Sequence, residues 1–220
     1  MRCAWAENAD AMMQAYHDTE WAVPRHGDQA LFELLCLEGA QAGLSWRTVL
    51  ARREAYRAAY HGFDIARVAA MTDAELTAVL TDSGVIRHRL KIWSVRDNAR
   101  AALGIIAAHA ALGVIAARAA LDGETAYGGL DAFLWSFVEG RPAVNHPRVP
   151  AEVPAATPVS ERMSKALRKH GFRFTGPTIC YAFMQASGMV DDHLVTCAVK
   201  GTHTCTTAKK SGTTARKSGV

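Results

Sequence analysis

Two groups of side chains in this 220-residue sequence could do chemistry. The first is a set of thiols and imidazoles split between the two ends of the chain. Cys3 and His17 lie near the start and His193 and Cys197 near the end, and all four are of types that bind zinc. On a helix, the four-residue spacing of His193 and Cys197 turns both onto one face. Together with Cys3 and His17 they would make a Cys2His2 site tying the first segment to the last. Four protein ligands leave no open position for a reactive water, so such a site would be structural rather than that of a zinc hydrolase. His203 and Cys205 are rival ligands nearby. The second group surrounds Glu38. That acid falls four residues after Leu34 and three after Leu35, on the stripe they share with Leu31. A carboxylate on an apolar face is costly to bury unless something pairs with it.

The element that must position Glu38 is the segment DQALFELLCLEGAQAGLSWRTVL, residues 28–50. It reads as two helices and a corner. Asp28 is expected to cap the first helix and Ser45 the second. Gly43, Leu44 and Ser45 make the corner, with Trp46 in the first turn beyond it. The bland alternative is a helix end carrying a partly exposed acid beside a core tryptophan. Upstream, Trp5, Tyr16, His17 and Trp21 crowd one short span. So many rings near a terminus imply that this segment docks onto the body.

The rest of the chain reads as all-α, with long 3.6-residue periods rich in Ala and Leu. A single helical domain in two lobes with a cleft is expected over 1–200, followed by a flexible basic tail over 201–220. The expected helices include 46–60, with Arg52, Arg53 and Arg57 on its solvated face. Shorter ones are capped by Asp64 and by a Thr72–Glu75 box. Another covers 85–103, with Ile86, Leu90 and Trp93 buried and Arg87, His88, Arg89 and Lys91 forming a wet basic face. An alanine-rich helix over 104–121 and a loop over 122–129 follow, then a compact helix over 130–139. Four prolines from Pro147 to Pro158 mark an extended crossing. Ser160 is expected to cap the helix ERMSKALRKH, on which Lys165, Arg168 and Lys169 share a face. Gly171 ends it, a tight hairpin 172–176 follows, and Pro177 opens the next helix. Two glycines, a helix N-terminus and a basic flank suit a phosphate backbone.

The formal charge is +4, but Lys200, Lys209, Lys210, Arg216 and Lys217 all lie beyond the last acid, Asp192. Without them the body is close to neutral, so any nucleic-acid contact there needs a local basic patch. Five cysteines with no framework spacing point to a reducing cytoplasm, with Cys36 and Cys180 as inert core thiols. No stretch reads as a convincing membrane span.

The segments RCAW, AYHDTEWAVP, LFELLCLEGAQAGLSWRTVL, SGVIRHRLKI, SKALRKHGFRFTGPTICYAFMQASG and DDHLVTC, in that order over residues 2–197, carry a resemblance. The sequence resembles the 3-methyladenine DNA glycosylase I family of the helix-hairpin-helix glycosylase superfamily. The resemblance implies an α-helical enzyme that excises 3-methyladenine from alkylated double-stranded DNA, acts as a monomer, and carries a structural Zn2+. Its ligands would be Cys3, His17, His193 and Cys197. Glu38 and Tyr16 would contact the base, Trp46 would stack on it, and Trp5 and Trp21 would line the pocket. Gly43 and Leu44 would enter the duplex, and Ser164, Lys165, Gly171 and Gly176 would hold its backbone. An ionised Glu38 is expected, with Asp191 and Asp192 supporting the metal site beside His193. The alternative is a zinc-stabilised DNA-binding protein without activity, against which intact Glu38, Tyr16 and Trp46 speak.

Overall fold

The computed structural model describes residues 1–82, 84–116 and 129–202. Its helices are α1 (Ala4–Glu7), α2 (Ala11–Thr19), α3 (Asp28–Gln41), α4 (Trp46–Leu50), α5 (Arg53–Ala59), α6 (Ile65–Ala70), α7 (Asp73–Thr81), α8 (Arg89–Ala116), α9 (Leu130–Trp135), α10 (Pro158–Lys169) and α11 (Pro177–Ala186). Among the described residues, two short strands interrupt this helical order. Here β1 (Ala143–Val144), on the proline-rich crossing, pairs in parallel with β2 (Val190–Asp191). A two-residue strand has no period to read, so the all-α expectation missed it. The loop expected over 122–129 lies outside the described residues except for Gly129, and the tail does so from His203 onward, taking His203 and Cys205 with it.

At the centre stands α3. Every residue from Leu31 to Ala40 is buried, including Glu33 and Glu38. The expected apolar stripe is therefore a helix enclosed all round, as a core helix is. It packs against α4, α8, α9 and α11, while α6 lies on α8 and α10 on α11. Glu33 is paired with Arg57 of α5 at 2.8 Å. Asp28 does not cap α3. Gly27 does, at φ 96°, and the Asp28 carboxylate instead accepts the Asp131 N–H of α9 at 2.8 Å. Asp131 returns the contact by accepting from the Gly27 N–H. Each acid thus serves the other helix's free amides across the core.

Several other boundaries shift for equally local reasons. The expected 46–60 helix breaks in two at Ala51–Arg52. Its arginines are not simply solvated, because Arg53 pairs with Glu20 and Arg57 with Glu33 and Glu54. Ser45, Asp64 and Thr72 do cap α4, α6 and α7, the last with a full capping box. Helix α8 starts at Arg89, and its buried side is Ile92, Val95, Ala99 and Ala102, whereas Leu90 is 59% exposed. Helix α10 begins earlier than Ser160, with Thr157 as its cap, Pro158 in its first turn and Ser160 completing a capping box. It ends as expected. Gly171, at φ 95°, donates to the Arg168 carbonyl and Phe172 to that of Leu167, the paired bonds of a Schellman motif.

A candidate base-binding cavity beside a cysteine–histidine cluster

The first segment docks as its aromatic content demands. Ala22 donates to the Gln185 carbonyl and Arg25 to that of Ser187, lacing the segment to the end of α11. A cavity of about 220 Å³ lies among α2, α3 and α11. Tyr16, Trp21, Trp5, Glu38 and Trp46 line it, as expected, together with Gln41 and Gln185, which sequence reasoning missed. Gln41 was findable, since it stands three residues after Glu38 on the same helix. Gln185 had no local signal, because only the docking of α11 brings it in. The Tyr16 and Trp46 rings are tilted at 45° with centroids 5.4 Å apart, and Trp5 meets Trp21 edge-on at 5.3 Å.

At this cavity Glu38 is 3% exposed, and its Oε2 has no hydrogen-bond partner among the described residues. The Trp46 indole N–H is buried and unpartnered as well. Burial with no compensating cation pushes the Glu38 carboxyl up to about 8. Burial thus favours the neutral acid over the ionised Glu38 that was expected. Burial and the nearby Glu38 also raise the Tyr16 phenol well above its ordinary range. A buried polar atom left unsatisfied in a native fold is uncommon. Two of them at one aromatic cavity suit a planar ligand carrying both a donor and an acceptor.

Behind Trp5 and Trp21 lies the cysteine–histidine cluster. The ligand atoms of Cys3, His17 and Cys197 all lie within 4.8 Å of one another, and all three residues are buried. His193 stands beside them, its ring edge-on to His17 at 4.9 Å and to Trp21 at 4.6 Å. Nδ1 of His17 is 2.8 Å from Asp18, and Nδ1 of His193 is 2.8 Å from Asp191. Carboxylates holding Nδ1 leave Nε2 as the ligand atom, the usual arrangement around bound metal. The Leu194 N–H points at the Cys3 sulfur at 3.4 Å. The donor set and its outer hydrogen bonds thus fit a thiolate–imidazole metal site. Two expectations change here. His193 and Cys197 lie on either side of a turn at Val195–Thr196, not on a helix. Asp192 does not support His193, because it accepts from Asn145, Tyr181 and Gln185 instead.

The corner after α3 and the α10–α11 hairpin flank the cavity. Gly43 adopts φ 77°, where a side chain would be strained, and leaves Leu44 42% exposed. Phe174 of the hairpin rests on Gly39, one residue beyond Glu38. Lys165, Gly171 and Arg173 are exposed on this hairpin, and Gly176 is its cap for α11. Ser164 is instead turned inward. It is 2% exposed and donates to the Thr175 carbonyl at 2.6 Å, bracing the hairpin from inside. Cys36 and Cys180 are buried free thiols, as expected.

A helical body with an unsatisfied acid at an aromatic cavity is of a kind suited to a flat heterocycle. The methyladenine glycosylase family model matches residues 5–114 and 111–200. The chain is 45% identical to DNA-3-methyladenine glycosylase 1 of Escherichia coli (strain K12) over 196 residues, 89% of this chain and 95% of that one. It is 44% identical to DNA-3-methyladenine glycosylase of Haemophilus influenzae (strain ATCC 51907 / DSM 11121 / KW20 / Rd) over 199 residues, 90% and 97% of the two chains. Its fold matches a crystal structure of 3-methyladenine DNA glycosylase I with TM-score 0.78 and 44% identity, covering 90% of this chain and 98% of that one. The chain belongs to the methyladenine glycosylase family.

Proposed function

We propose that this chain is a monofunctional base-excision repair enzyme that hydrolyses the N-glycosidic bond of 3-methyladenine in alkylated DNA. The observation that carries the reading is the buried, unpartnered Glu38 oxygen at a ring-walled cavity. An adenine methylated at N3 bears positive charge while attached to its sugar. It departs as a neutral base and needs no strong acid to protonate it. The protein must extract the base, recognise it and shelter the sugar cation until water adds. Unstacking costs a few kcal/mol, least for a damaged base. Leu44, exposed on its corner, is placed to fill the gap left in the duplex. The rings attract a cation face-on by roughly 0.5–2 kcal/mol each.

Glu38 supplies the charge. Burial favours its neutral form, and a cationic base beside it favours the carboxylate. Entry of the cation is thereby coupled to loss of the Glu38 proton. The ionised oxygen then accepts from the exocyclic amine of adenine. A guanine presents a carbonyl at that position, which a carboxylate repels. No lysine lies between Pro177 and Val199 to form a Schiff base after the hairpin, in keeping with hydrolysis alone.

The partner in this reading is double-stranded DNA bound by a monomer, with the α10–α11 hairpin acting as a helix-hairpin-helix clamp on the phosphate backbone. Lys165, Gly171 and Gly176 serve the clamp, and Gly43 and Leu44 enter the duplex. Zn2+ is the proposed resident of the Cys3, His17 and Cys197 cluster, with His193 as fourth ligand. When bound it would supply a structural cross-link between the first and last segments. Buried free thiols suit a reducing cytoplasm, and among the described residues no helix is long and apolar enough to cross a membrane.

Chromatography of the bases released from methylated duplex DNA tests the reading. The parent chain releases 3-methyladenine, and Glu38→Ala releases it about a hundredfold more slowly or worse, while keeping its helical content and metal. Equal rates for the two at saturating DNA would remove the chemical basis of the proposal. Elemental analysis is expected to find one zinc per chain in the parent and a loss of zinc in Cys197→Ser.

A further inference from the structure

Lys91 occupies a position that its own helix does not favour. It sits in the first turn of α8, where the helix dipole repels a cation. Part-buried, it forms no ion pair among the described residues, and burial lowers its pKa. It is not part of a wet basic face with Arg87, His88 and Arg89, which are exposed. Its ammonium instead reaches α3, donating to the Ala40 carbonyl at 2.9 Å and to the Ala42 carbonyl at 2.5 Å. These belong to the free acceptors at the end of α3, where a cation complements the dipole. The same few residues do two jobs. Glu38 and Gln41, in the last turn, line the cavity. Ala42 leaves the helix at ψ 116° and Gly43 turns the chain to project Leu44. Within the corner itself, Leu44 donates to the Gln41 carbonyl at 2.6 Å and Ala42 to that of Gly39 at 3.3 Å. Lys91 is the tie from outside, and its two acceptors bracket Gln41 at the junction of cavity and corner.

We propose that Lys91 is a positioning residue that fixes the Leu44 corner relative to the Glu38 cavity, so that base extraction and base recognition occur in register. The role rests on the base-excision reading above. Lys91→Met keeps the aliphatic stem and removes the charge and its donors, whereas Lys91→Arg keeps both. In Lys91→Met the Leu44 amide is expected to exchange with solvent at least about fivefold faster, while that of Phe172 at the end of α10 is unchanged. Single-turnover release from methylated duplex DNA falls about tenfold or more. Affinity for free 3-methyladenine, read by tryptophan fluorescence, stays within about twofold, because the cavity is intact. Lys91→Arg restores most of the duplex rate. Unchanged Leu44 exchange in Lys91→Met overturns the proposal, and so does a loss of free-base affinity as large as the loss of duplex release. Should the parent release no base at all, the base-excision reading fails, and the exchange arm still decides whether Lys91 holds the corner.

Discussion

Two carboxylates in this molecule are equally hidden and quite differently treated. Glu38 and Asp192 are each 3% exposed. Asp192 accepts from the Asn145 amide at 2.7 Å, the Tyr181 hydroxyl at 2.6 Å and the Gln185 amide at 2.8 Å. Glu38 has an oxygen with no partner at all among the described residues and a carboxyl raised to about 8. Burial alone therefore says little about role. An acid whose acceptor sites are filled knits the crossing segment to α11. An acid whose acceptor site is empty, at a cavity, is set for a ligand that brings the missing donor and charge. Gln185 lines the Glu38 cavity while donating to Asp192, and so connects the surroundings of the two acids.

Isosteric amides break this comparison most directly, and the largest effect is expected on chemistry. Glu38→Gln keeps the shape and removes the charge that a cationic base would meet. Release of 3-methyladenine from duplex DNA is expected to fall about a hundredfold or more in single-turnover assays. Asp192→Asn should leave release per folded molecule within about twofold of the parent. A reversal of those two outcomes would exchange the roles of the acids.

Stability should move the other way, by a smaller amount. An amide at position 192 turns an NH2 toward groups that already donate, so Asp192→Asn is expected to cost about 3 kcal/mol. Urea denaturation at pH 7 measures it. Glu38→Gln is expected to stabilise, and only above a particular pH. Burial raises its folded carboxyl to about 8, against an ordinary value of 4.5. Between those values the unfolded chain has lost the proton that the folded chain retains, so parent stability falls as pH rises through the window. The variant lacks that loss. The two proteins should be nearly matched below pH 4.5 and diverge by a few kcal/mol by pH 8. A gap that is the same at every pH would mean that Glu38 is not held neutral by burial. A stabilising substitution that abolishes activity is what a site built from an unsatisfied group predicts.

What could be read from the chain follows the range of the interactions. The caps at Ser45, Asp64 and Thr72 depend on residues three apart and were legible. So was Glu38, from its place after Leu34 and Leu35, and so was the docking of the aromatic first segment. The start of α3 was not, because Asp28 spends its carboxylate on Asp131, 103 residues away. Lys91 reads as one of four solvated cations until α8 is laid beside the end of α3. Asp192 sits next to His193 in sequence yet turns to Asn145, Tyr181 and Gln185, partners that only the β1–β2 pairing and α11 bring together. The non-helical stretch from His193 to Cys197 shows the same limit. The spacing was compatible with a shared ligand set, but the backbone that delivers it is not the helix that spacing suggested.

The finest probe of the comparison is Tyr181→Phe, which removes one of the three donors from Asp192 and touches neither cavity ring nor Glu38. If Asp192 is purely structural, losing one neutral donor costs about 1–1.5 kcal/mol, visible as a lower thermal midpoint. The remaining donors, Asn145 and Gln185, keep the carboxylate in place, so Gln185 stays where it lines the cavity and the rate of base release is unchanged. If instead the rate falls while the midpoint holds, the hydrogen-bond set around Asp192 governs the geometry of the Glu38 cavity through Gln185. The division between a filled acid that builds and an empty acid that binds would then have to be redrawn around the glutamine they share.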